Sequence, residues 1–388
     1  MSVEEPLLEV DDIQGHLLTG FGRAYEMLLG IRFKPEDVVN AKAALRIVAA
    51  DVTPGRASAA DKARRRMVAL AGGVPTAEAQ LSVAMAFSKA GIAKLGEDPS
   101  RIVDPIFQMG AARSAAAIGD EIDANGMPAS WQFGSTPETE PDVLLIIASA
   151  DQAEVISTTG HYVAMLGESC TIVLRECGRR IERDAEHFGF VDGVSQPGIR
   201  GRVDPDTYLT PRAYPAGHPQ ARMWARPGQL LTWPGQFIFG YPGLDPDAQQ
   251  QPGAIVGEGE SLLMNGSLLV IRRLSQDVGL FWRAMANLAN QLTASTGTEW
   301  TSERAASRCV GRWRDGTPVS LSPDKEVDEI SGKFYRLNGF RFLTPIAAVT
   351  LNDKNGDYEF PGAGADPTGK NLPVFWTHPQ GQSARPEP

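Results

Sequence analysis

Cysteine and histidine are scarce in this sequence, and neither follows a metal-binding pattern. The three cysteines are Cys170, Cys177 and Cys309, and the five histidines include no HxH or HxxxH pair. Zinc and redox motifs need such close spacings, so the sequence predicts no metal site of this kind. Reduced, structural thiols are typical of a cytoplasmic protein, and a Cys170–Cys177 disulfide is the alternative.

An excess of positive charge and long hydrophobic runs are also missing. The formal net charge is −10, which disfavours nucleic acid and anionic membrane surfaces as partners. No apolar run approaches the roughly 18 residues that cross a bilayer. The start of the chain, Met1–Pro6, is acidic where a secretion signal is basic and then apolar. We therefore expect a cytoplasmic protein with no nucleic-acid partner and no membrane partner.

The first half of the chain carries the pattern of an α+β unit. Apolar spacing predicts the order strand, helix, strand, strand, helix, strand, which is that of a ferredoxin-like fold. Pro35 suits the first turn of the first helix. The predicted elements are Tyr25–Phe33, Pro35–Ala50, Gln80–Ser88, Val143–Ala150, Asp151–Gly167 and Thr171–Glu176.

A second and less complete set of elements follows in the other half. The predicted division is residues 1–200 for an N-terminal unit, 201–377 for a C-terminal unit and 378–388 for a disordered tail. The C-terminal unit is expected to lack a full closing helix and strand. Its predicted elements are strands at Gln236–Tyr241, Ser267–Arg272 and Arg341–Thr350, a helix at Gln276–Leu292 and a weaker strand at Leu372–Thr377.

The most informative stretch of the chain is Glu186–Pro197, with the sequence EHFGFVDGVSQP. It resembles the GxxDG motif of the dye-decolorizing peroxidases, including the flanking EHFGF and SQP. In that family the aspartate of the motif lies over the open face of a haem and moves a proton while peroxide is split. Asp192 occupies the matching position, so the resemblance implies a catalytic acid or base that faces a pocket. The alternative is an aspartate that caps a turn.

The resemblance extends over nearly the whole chain. Further matching segments include Asp12–Gly15, Ala90–Gly96, Pro234–Phe237 and Asn265–Val270, in the order and spacing of the family. It implies tandem ferredoxin-like units of the dimeric α+β barrel type, in agreement with the predicted strands and helices. The second unit would be shortened at its C-terminus, because members of the family continue for several tens of residues.

The haem ligand of the family has no counterpart at the expected position. The family keeps its ligand histidine in a segment resembling CPxAAH, and here Thr344–Val349 places Val349 at the ligand position. Valine has no lone pair to donate to iron. No histidine lies between His218 and His378, so a small shift of the alignment supplies no ligand. The family's distal arginine is also missing, and Lys370 is the nearest cation to its place.

A few other residues are candidates by the same resemblance. Arg200 falls where the family tends to place a cation that faces the haem propionates, with a solvated loop arginine as the alternative. Gln196 lies in the SQP segment and would bind only if haem or another ligand fills the family pocket. His378 is a weak substitute for the axial ligand. His187 is expected as a hydrogen-bonded framework residue, and Cys309 as a buried thiol of a core helix.

Three functions are compatible with this pattern. The first is a haem-independent or altered enzyme that acts on a small organic molecule in the former haem cavity, with Asp192 as acid or base. The second is a haem-dependent peroxidase that oxidises organic substrates with hydrogen peroxide through a displaced axial ligand. The third is a non-catalytic binding or scaffold protein. A homo-oligomer that pairs through the edge of the shortened unit is expected in either case.

Overall fold

A computed structural model describes most of the chain. The described residues are 4–71, 81–181, 185–193, 196–214, 218–226, 229–245, 251–260, 262–320, 322–324, 350–352 and 357–359. They form two compact units, which alternate along the sequence instead of dividing once near residue 200. The first unit comprises 1–180, 201–209 and 233–270, and the second comprises 181–200, 210–232 and the residues from 271 onwards.

The first unit is built on a four-stranded antiparallel sheet. Strand β1 pairs with β3 on one side and with β4 on the other, and β2 pairs with β3. The resulting order β2-β3-β1-β4, with a long helix after β1 and another after β3, is ferredoxin-like. The strands are β1 Tyr25–Phe33, β2 Ser82–Phe87, β3 Val143–Ser149 and β4 Cys170–Arg179. The predicted fold class is confirmed, and β1 has the predicted bounds.

Six α-helices belong to this unit, among the residues that the structure describes. They are α1 Gly15–Leu18, α2 Val38–Ala50, α3 Gly55–Leu70, α4 Lys89–Lys94, α5 Pro105–Met109 and α6 Gln152–Leu166. The two predicted helices correspond to α2, which a 3-10 turn at Pro35–Asp37 precedes, and to α6. Other 3-10 helices of this unit lie at Pro99–Arg101, Ala112–Ile118, Gly167–Ser169 and Pro234–Gln236, and one in the second unit lies at Pro219–Arg222.

One face of the sheet packs against α2 and α6 and forms the core of the first unit. Alternate residues of each strand point to this face, as the period of two in a strand requires. The strand residues that are fully buried there include Leu29, Ile31, Leu145 and Ile147. Ala41, Val48, Val155 and Tyr162 cover them from the two helices.

Helix α3 is an addition that the apolar pattern did not predict. Its sequence, GRASAADKARRRMVAL, is rich in arginine and has few large apolar residues. A buried ion pair contributes to its attachment: the Asp61 carboxylate contacts Arg23 at 3.2 Å, and within the helix it also contacts Arg64 at 3.0 Å and Arg65 at 2.9 Å. Arg23 precedes β1, so this cluster links α3 to the entrance of the sheet.

Short strands complete the described residues. In the first unit, β6 Arg202–Asp204 pairs with β7 Thr207–Tyr208, and β10 Pro242–Leu244 pairs with β11 Pro252–Ile255. In the second unit, β9 Gln229–Thr232 lies between β5 Gly198–Ile199 and β8 Trp224–Arg226, and β12 Thr350–Asn352 pairs with β13 Asp357–Glu359.

Two helices belong to the second unit within the described ranges, α7 Val278–Thr296 and α8 Ser302–Val310. The predicted helix Gln276–Leu292 corresponds to α7 and is confirmed. Asp277 caps its start, because the carboxylate accepts the N–H of Leu280 at 2.7 Å. Gly297, with a φ of 68°, ends it in the left-handed conformation.

Two predicted strands of the second half are wrong. Residues 237–241 form turns instead of a strand. Their apolar side chains Ile238 and Tyr241 pack into a buried cluster with Leu8, Val10 and Ile13 of the N-terminal segment. Residues 267–272 form no strand in the described structure, and Val270 is 75% exposed. An apolar run by itself does not distinguish these surroundings from a sheet.

The other predictions for this half fall largely beyond the described residues. Of the strand predicted at Arg341–Thr350, only Thr350 is described, and it begins β12. Leu372–Thr377 and the tail 378–388 lie outside the described residues.

The cysteines test two further expectations, that the thiols are reduced and that Cys309 is buried. All three cysteines are free, which agrees with reduced thiols. Cys309 lies on α8 as expected, but its side chain is exposed, so the prediction of a buried core thiol is wrong.

No helix in the described part of the chain has both the length and the apolar character needed to span a bilayer.

Candidate functional site

The loop of residues 185–193 lies in the second unit and carries the aspartate of the motif. Ala185 and Val191 form an isolated antiparallel bridge, which brings the two sides of the loop together. Between them, Glu186 donates its N–H to the carbonyl oxygen of Phe190 at 2.8 Å. The backbone of the loop is therefore closed on itself just before the aspartate.

The Glu186 carboxylate is the polar centre of this loop. One oxygen, Oε2, accepts the backbone N–H of Phe188 at 2.7 Å and the side-chain amide of Gln276 at 2.9 Å. The other oxygen, Oε1, accepts the backbone N–H of Phe190 at 2.9 Å. Hydrogen bonds to an ionised acceptor are stronger than those between neutral groups. This side chain thus connects both halves of the loop to the segment that precedes α7.

Aromatic rings anchor the same loop to the first turn of α7. Phe188 stacks on Phe281 with the ring centroids 4.4 Å apart. Phe190, which is 4% exposed, lies parallel to Trp282 with the centroids 6.3 Å apart. Aromatic pairs in such arrangements add to the stability that their burial supplies. The two phenylalanines of the motif therefore have packing roles.

The segment that follows α8 holds the loop from a third direction. Arg314 accepts the N–H of Val191 at its carbonyl oxygen (3.0 Å), and its Nε donates to the carbonyl of Gly189 at 3.4 Å. Gly189 has a φ of 97°, and a Cβ there would lie 2.4 Å from Nη2 of Arg314. Glycine alone meets both conditions without strain. Nearby, burial lowers the pKa of Arg312 to about 10.

Asp192 is the first residue beyond this anchored stretch. Its side chain is exposed, and Oδ1 accepts the N–H of the adjacent Gly193 at 2.6 Å. We expected Asp192 to face a pocket, and whether it does stays a prediction. The carboxyl group is presented at the surface of a loop whose backbone path is defined.

His187 differs from its expected role. It is exposed, and the structure gives it no hydrogen bond within the described ranges, so it is not a hydrogen-bonded framework residue there. In this loop the framework role belongs to the residue before it, Glu186.

The two residues proposed for cofactor binding have different surroundings. Gln196 is exposed. Arg200 is 7% exposed; its N–H donates to the carbonyl of Thr232 at 2.8 Å, and its guanidinium donates to the carbonyl of Arg222. Arg200 is therefore a buried residue next to β5 and not a solvated loop arginine. Its role toward a ligand stays a prediction.

The two positions on which haem ligation depends are not among the residues that the structure describes. Haem iron needs an axial donor from the protein. Within the described ranges, no group of three or more histidine, cysteine, aspartate or glutamate side chains is placed to hold a metal ion. Val349 and His378, the two positions on which the predicted ligation depended, lie outside the described residues.

Three residues of the site were missed as site residues by sequence reasoning. Glu186 and Gln276 both lie in segments that resemble the family, yet nothing in their spacing indicates that they meet. Arg314 directly follows Gly311-Arg312-Trp313 and belongs to no recognised motif. Only contacts between segments that are far apart in the sequence show what these residues do.

Comparison with known proteins gives consistent matches. Residues 12–180 match the family model of the DyP dimeric alpha+beta barrel domain. A dye-decolorizing peroxidase from Mycena epipterygia is 28% identical over 341 residues, which are 87% of this chain and 55% of that protein. Peroxidase 2 from Mycetinis scorodonius is 28% identical over 70% of this chain and 46% of its own length. The chain thus spans about half the length of the curated relatives it matches.

Solved structures give the same picture of the fold. An ancestral D-type dye-decolorizing peroxidase superposes with a TM-score of 0.67 at 25% identity, covering 87% of this chain and 64% of that one. A variant of the enzyme from Pleurotus ostreatus gives a TM-score of 0.66 at 23% identity, over 87% of this chain and 65% of its own. The matched domain coincides with the ferredoxin-like unit, and the chain as a whole is similar to the dye-decolorizing peroxidases.

Proposed function

We propose that this protein uses Asp192 as a general acid or base on a small organic molecule, without the haem ligation that is usual in its family. The observation that carries the proposal is the lack of any histidine between His218 and His378. The loop of the motif and its supporting contacts are present, whereas the residue type that holds the iron is missing where the resemblance expects it. A fold can keep one catalytic group while its chemistry changes.

The placement of Asp192 supports an acid–base role. A general acid or base must lie within hydrogen-bond reach of the proton that it transfers. The Asp192 carboxyl group is exposed, so a ligand can reach it, and Gly193 contacts only Oδ1. The anchored backbone up to Val191 limits the positions from which that carboxyl group acts.

Absorption spectroscopy and ligand binding test the two parts of this proposal. Titration of the full chain with hemin is expected to give no sharp Soret band at one equivalent, because no axial histidine is supplied. A thermal-shift screen with small organic acids and phenols should then find compounds that stabilise the wild type but not Asp192→Asn. Asp206→Asn, a change at another exposed aspartate, is the matched control and should behave like the wild type.

A second candidate is a haem-dependent peroxidase with a displaced axial ligand. The match to a named dye-decolorizing peroxidase over 87% of this chain favours it. A stoichiometric Soret band that disappears in His378→Ala would establish this candidate and overturn the first. A compound that stabilises wild type and Asp192→Asn equally would show that Asp192 does not contact the ligand.

A further inference from the structure

We propose that Glu186 is the positioning residue of the Asp192 loop: its carboxylate holds the backbone that presents the acid. This inference rests on the proposed function of Asp192, but it concerns a residue that the acid–base chemistry does not use. Both oxygens of Glu186 already accept hydrogen bonds, from Phe188, Phe190 and Gln276. A carboxylate with three hydrogen bonds to the protein is held in place and orients the groups that donate to it.

The geometry connects Glu186 to Asp192 through the backbone. Phe188 and Phe190 are held from one side by the carboxylate and from the other by the rings of Phe281 and Trp282. Their backbone N–H groups therefore point at Glu186 while their side chains point into the aromatic cluster. If the carboxylate is removed, this half of the loop keeps its ring contacts but loses the bonds that set its backbone direction.

The bridge between Ala185 and Val191 passes that direction on to the aspartate. Val191 lies opposite Ala185, the neighbour of Glu186, and it is also the residue before Asp192. The N–H of Val191 donates to the carbonyl of Arg314 at 3.0 Å. A change in the backbone at Phe190 must therefore alter the bridge at Val191, and with it the orientation of the Asp192 carboxyl group.

The chemistry of the side chain makes a sharp substitution available. Glutamine has the shape of glutamate, but one of its two terminal atoms is a donor instead of an acceptor. With the donor at the Oε1 position, Glu186→Gln loses the bond from Phe190; at the Oε2 position, it loses the bonds from Phe188 and Gln276. In either orientation an N–H donor then faces an NH2 group, so the loop cannot keep its present path.

Nuclear magnetic resonance of the full-length, deuterated protein measures this directly. The amide resonance of Gly193 is the reporter, because its N–H donates to Asp192 Oδ1 at 2.6 Å. In Glu186→Gln we expect that resonance to shift, and we expect hydrogen exchange at Phe188 and Phe190 to accelerate by about tenfold or more. If Glu186 merely added stability, the substitution would lower the unfolding temperature and leave the folded-state resonance of Gly193 in place.

Two further variants complete the test. Glu258→Gln makes the same chemical change at an exposed glutamate and should leave the Gly193 resonance unchanged. Gln276→Ala removes one of the three bonds to Glu186, and we expect a smaller shift in the same direction. If Glu186→Gln does not fold, the Gly193 resonance of Gln276→Ala tests the positioning role instead. An unchanged Gly193 resonance in the folded variants would overturn the proposal.

Failure of this inference is distinguishable from failure of the proposed function. A Gly193 shift in Glu186→Gln, combined with ligand binding that does not depend on Asp192, would keep the positioning role and remove the acid–base role. The opposite result has two parts: ligand binding depends on Asp192 but is the same in Glu186→Gln and wild type, and the Gly193 resonance is unchanged. It would keep the acid–base role of Asp192 and remove the positioning role of Glu186.

Discussion

At the scale of single residues, burial decides which side chains hold or give up protons. Burial, together with the negative charge of Asp142, raises the pKa of Cys170 to about 11. This thiol therefore stays protonated at neutral pH, as an unreactive structural cysteine does. Burial also raises the pKa of Tyr162, whose hydroxyl group donates to the Asp51 carboxylate at 2.9 Å.

His16 should make the stability of the first unit depend on pH. Burial lowers its pKa from the usual 6.5, and its Nδ1 has no hydrogen-bond partner among the described residues. The folded state therefore binds fewer protons than the unfolded chain once the pH falls below 6.5. The free energy of unfolding then decreases as the pH falls from that value through the lower folded-state pKa.

Chemical unfolding of His16→Gln at pH 7 and pH 5 checks this expectation. The variant should lose less stability than the wild type over that interval, because it has no group to protonate. His161→Gln, at an exposed histidine on α6, is the control and should follow the wild type. Equal losses in wild type and His16→Gln would contradict the assignment.

At the scale of elements, charge and packing attach helices in different ways. Helices α2 and α6 are attached by apolar residues that cover the sheet. Helix α3 has in addition a buried ion pair to the residues before β1: the Asp61 side chain, which is 4% exposed, contacts Arg23. The Arg23 side chain is itself 5% exposed, so this pair is desolvated and depends on both partners.

Asp61→Asn should therefore destabilise the first unit by about 3 kcal/mol, because it removes the carboxylate that contacts the buried Arg23 guanidinium. Thermal or urea unfolding measures the change. Asp11→Asn is the control. Asp11 and Arg56 form an exposed ion pair, and the loss of this pair should leave the free energy of unfolding almost unchanged. Similar effects of the two substitutions would mean that the buried pair of Asp61 and Arg23 does not stabilise the first unit.

At the scale of the whole molecule, the chain returns to its own N-terminus to complete the first unit. Asn265, which is 5% exposed, donates to Glu9 at 2.6 Å and to Asp12 at 2.7 Å. Tyr241 donates its hydroxyl hydrogen to Asn265 Oδ1 at 2.9 Å and accepts the N–H of Glu9. This network connects the start of the chain to a segment more than 200 residues away.

Removal of the Asn265 side chain should release the N-terminal segment. Asn265 has a φ of 62°, so Asn265→Gly removes the amide without adding backbone strain. We expect a loss of about 1–2 kcal/mol, since the amide bonds two carboxylates. Hydrogen exchange should accelerate at Val10 and Ile13 but not at Leu145 in the sheet. Uniform protection in the variant would show that the N-terminal segment is held by other contacts.

Several predictions for the whole molecule stay predictions. These are a homo-oligomer that pairs through the second unit, a small-molecule ligand as the partner and a cytoplasmic location. The edge proposed for pairing, Leu372–Thr377, lies outside the described residues. Sedimentation analysis of the full chain would measure the oligomeric state directly.

Prediction from sequence succeeded best where a local pattern and a long element coincide. Strand β1 and helix α7 were predicted because apolar residues at a period of two or near 3.6 are properties of short windows. Residues 237–241 were predicted wrongly as a strand because burial against the N-terminal segment gives them the same apolar composition. Helix α3 was missed because its sequence has few large apolar residues from which a helical period could be recognised.

The sequence by itself determined the resemblance to the dye-decolorizing peroxidases, the ferredoxin-like order of the first unit and the location of the GxxDG loop, because these depend on residue order and local periodicity. Only the tertiary structure decided how that loop is held. The bond between Gln276 and Glu186 joins residues 90 positions apart, and the rings of α7 meet the motif across a similar separation. Such contacts depend on the path of the whole chain, which no local window of sequence contains.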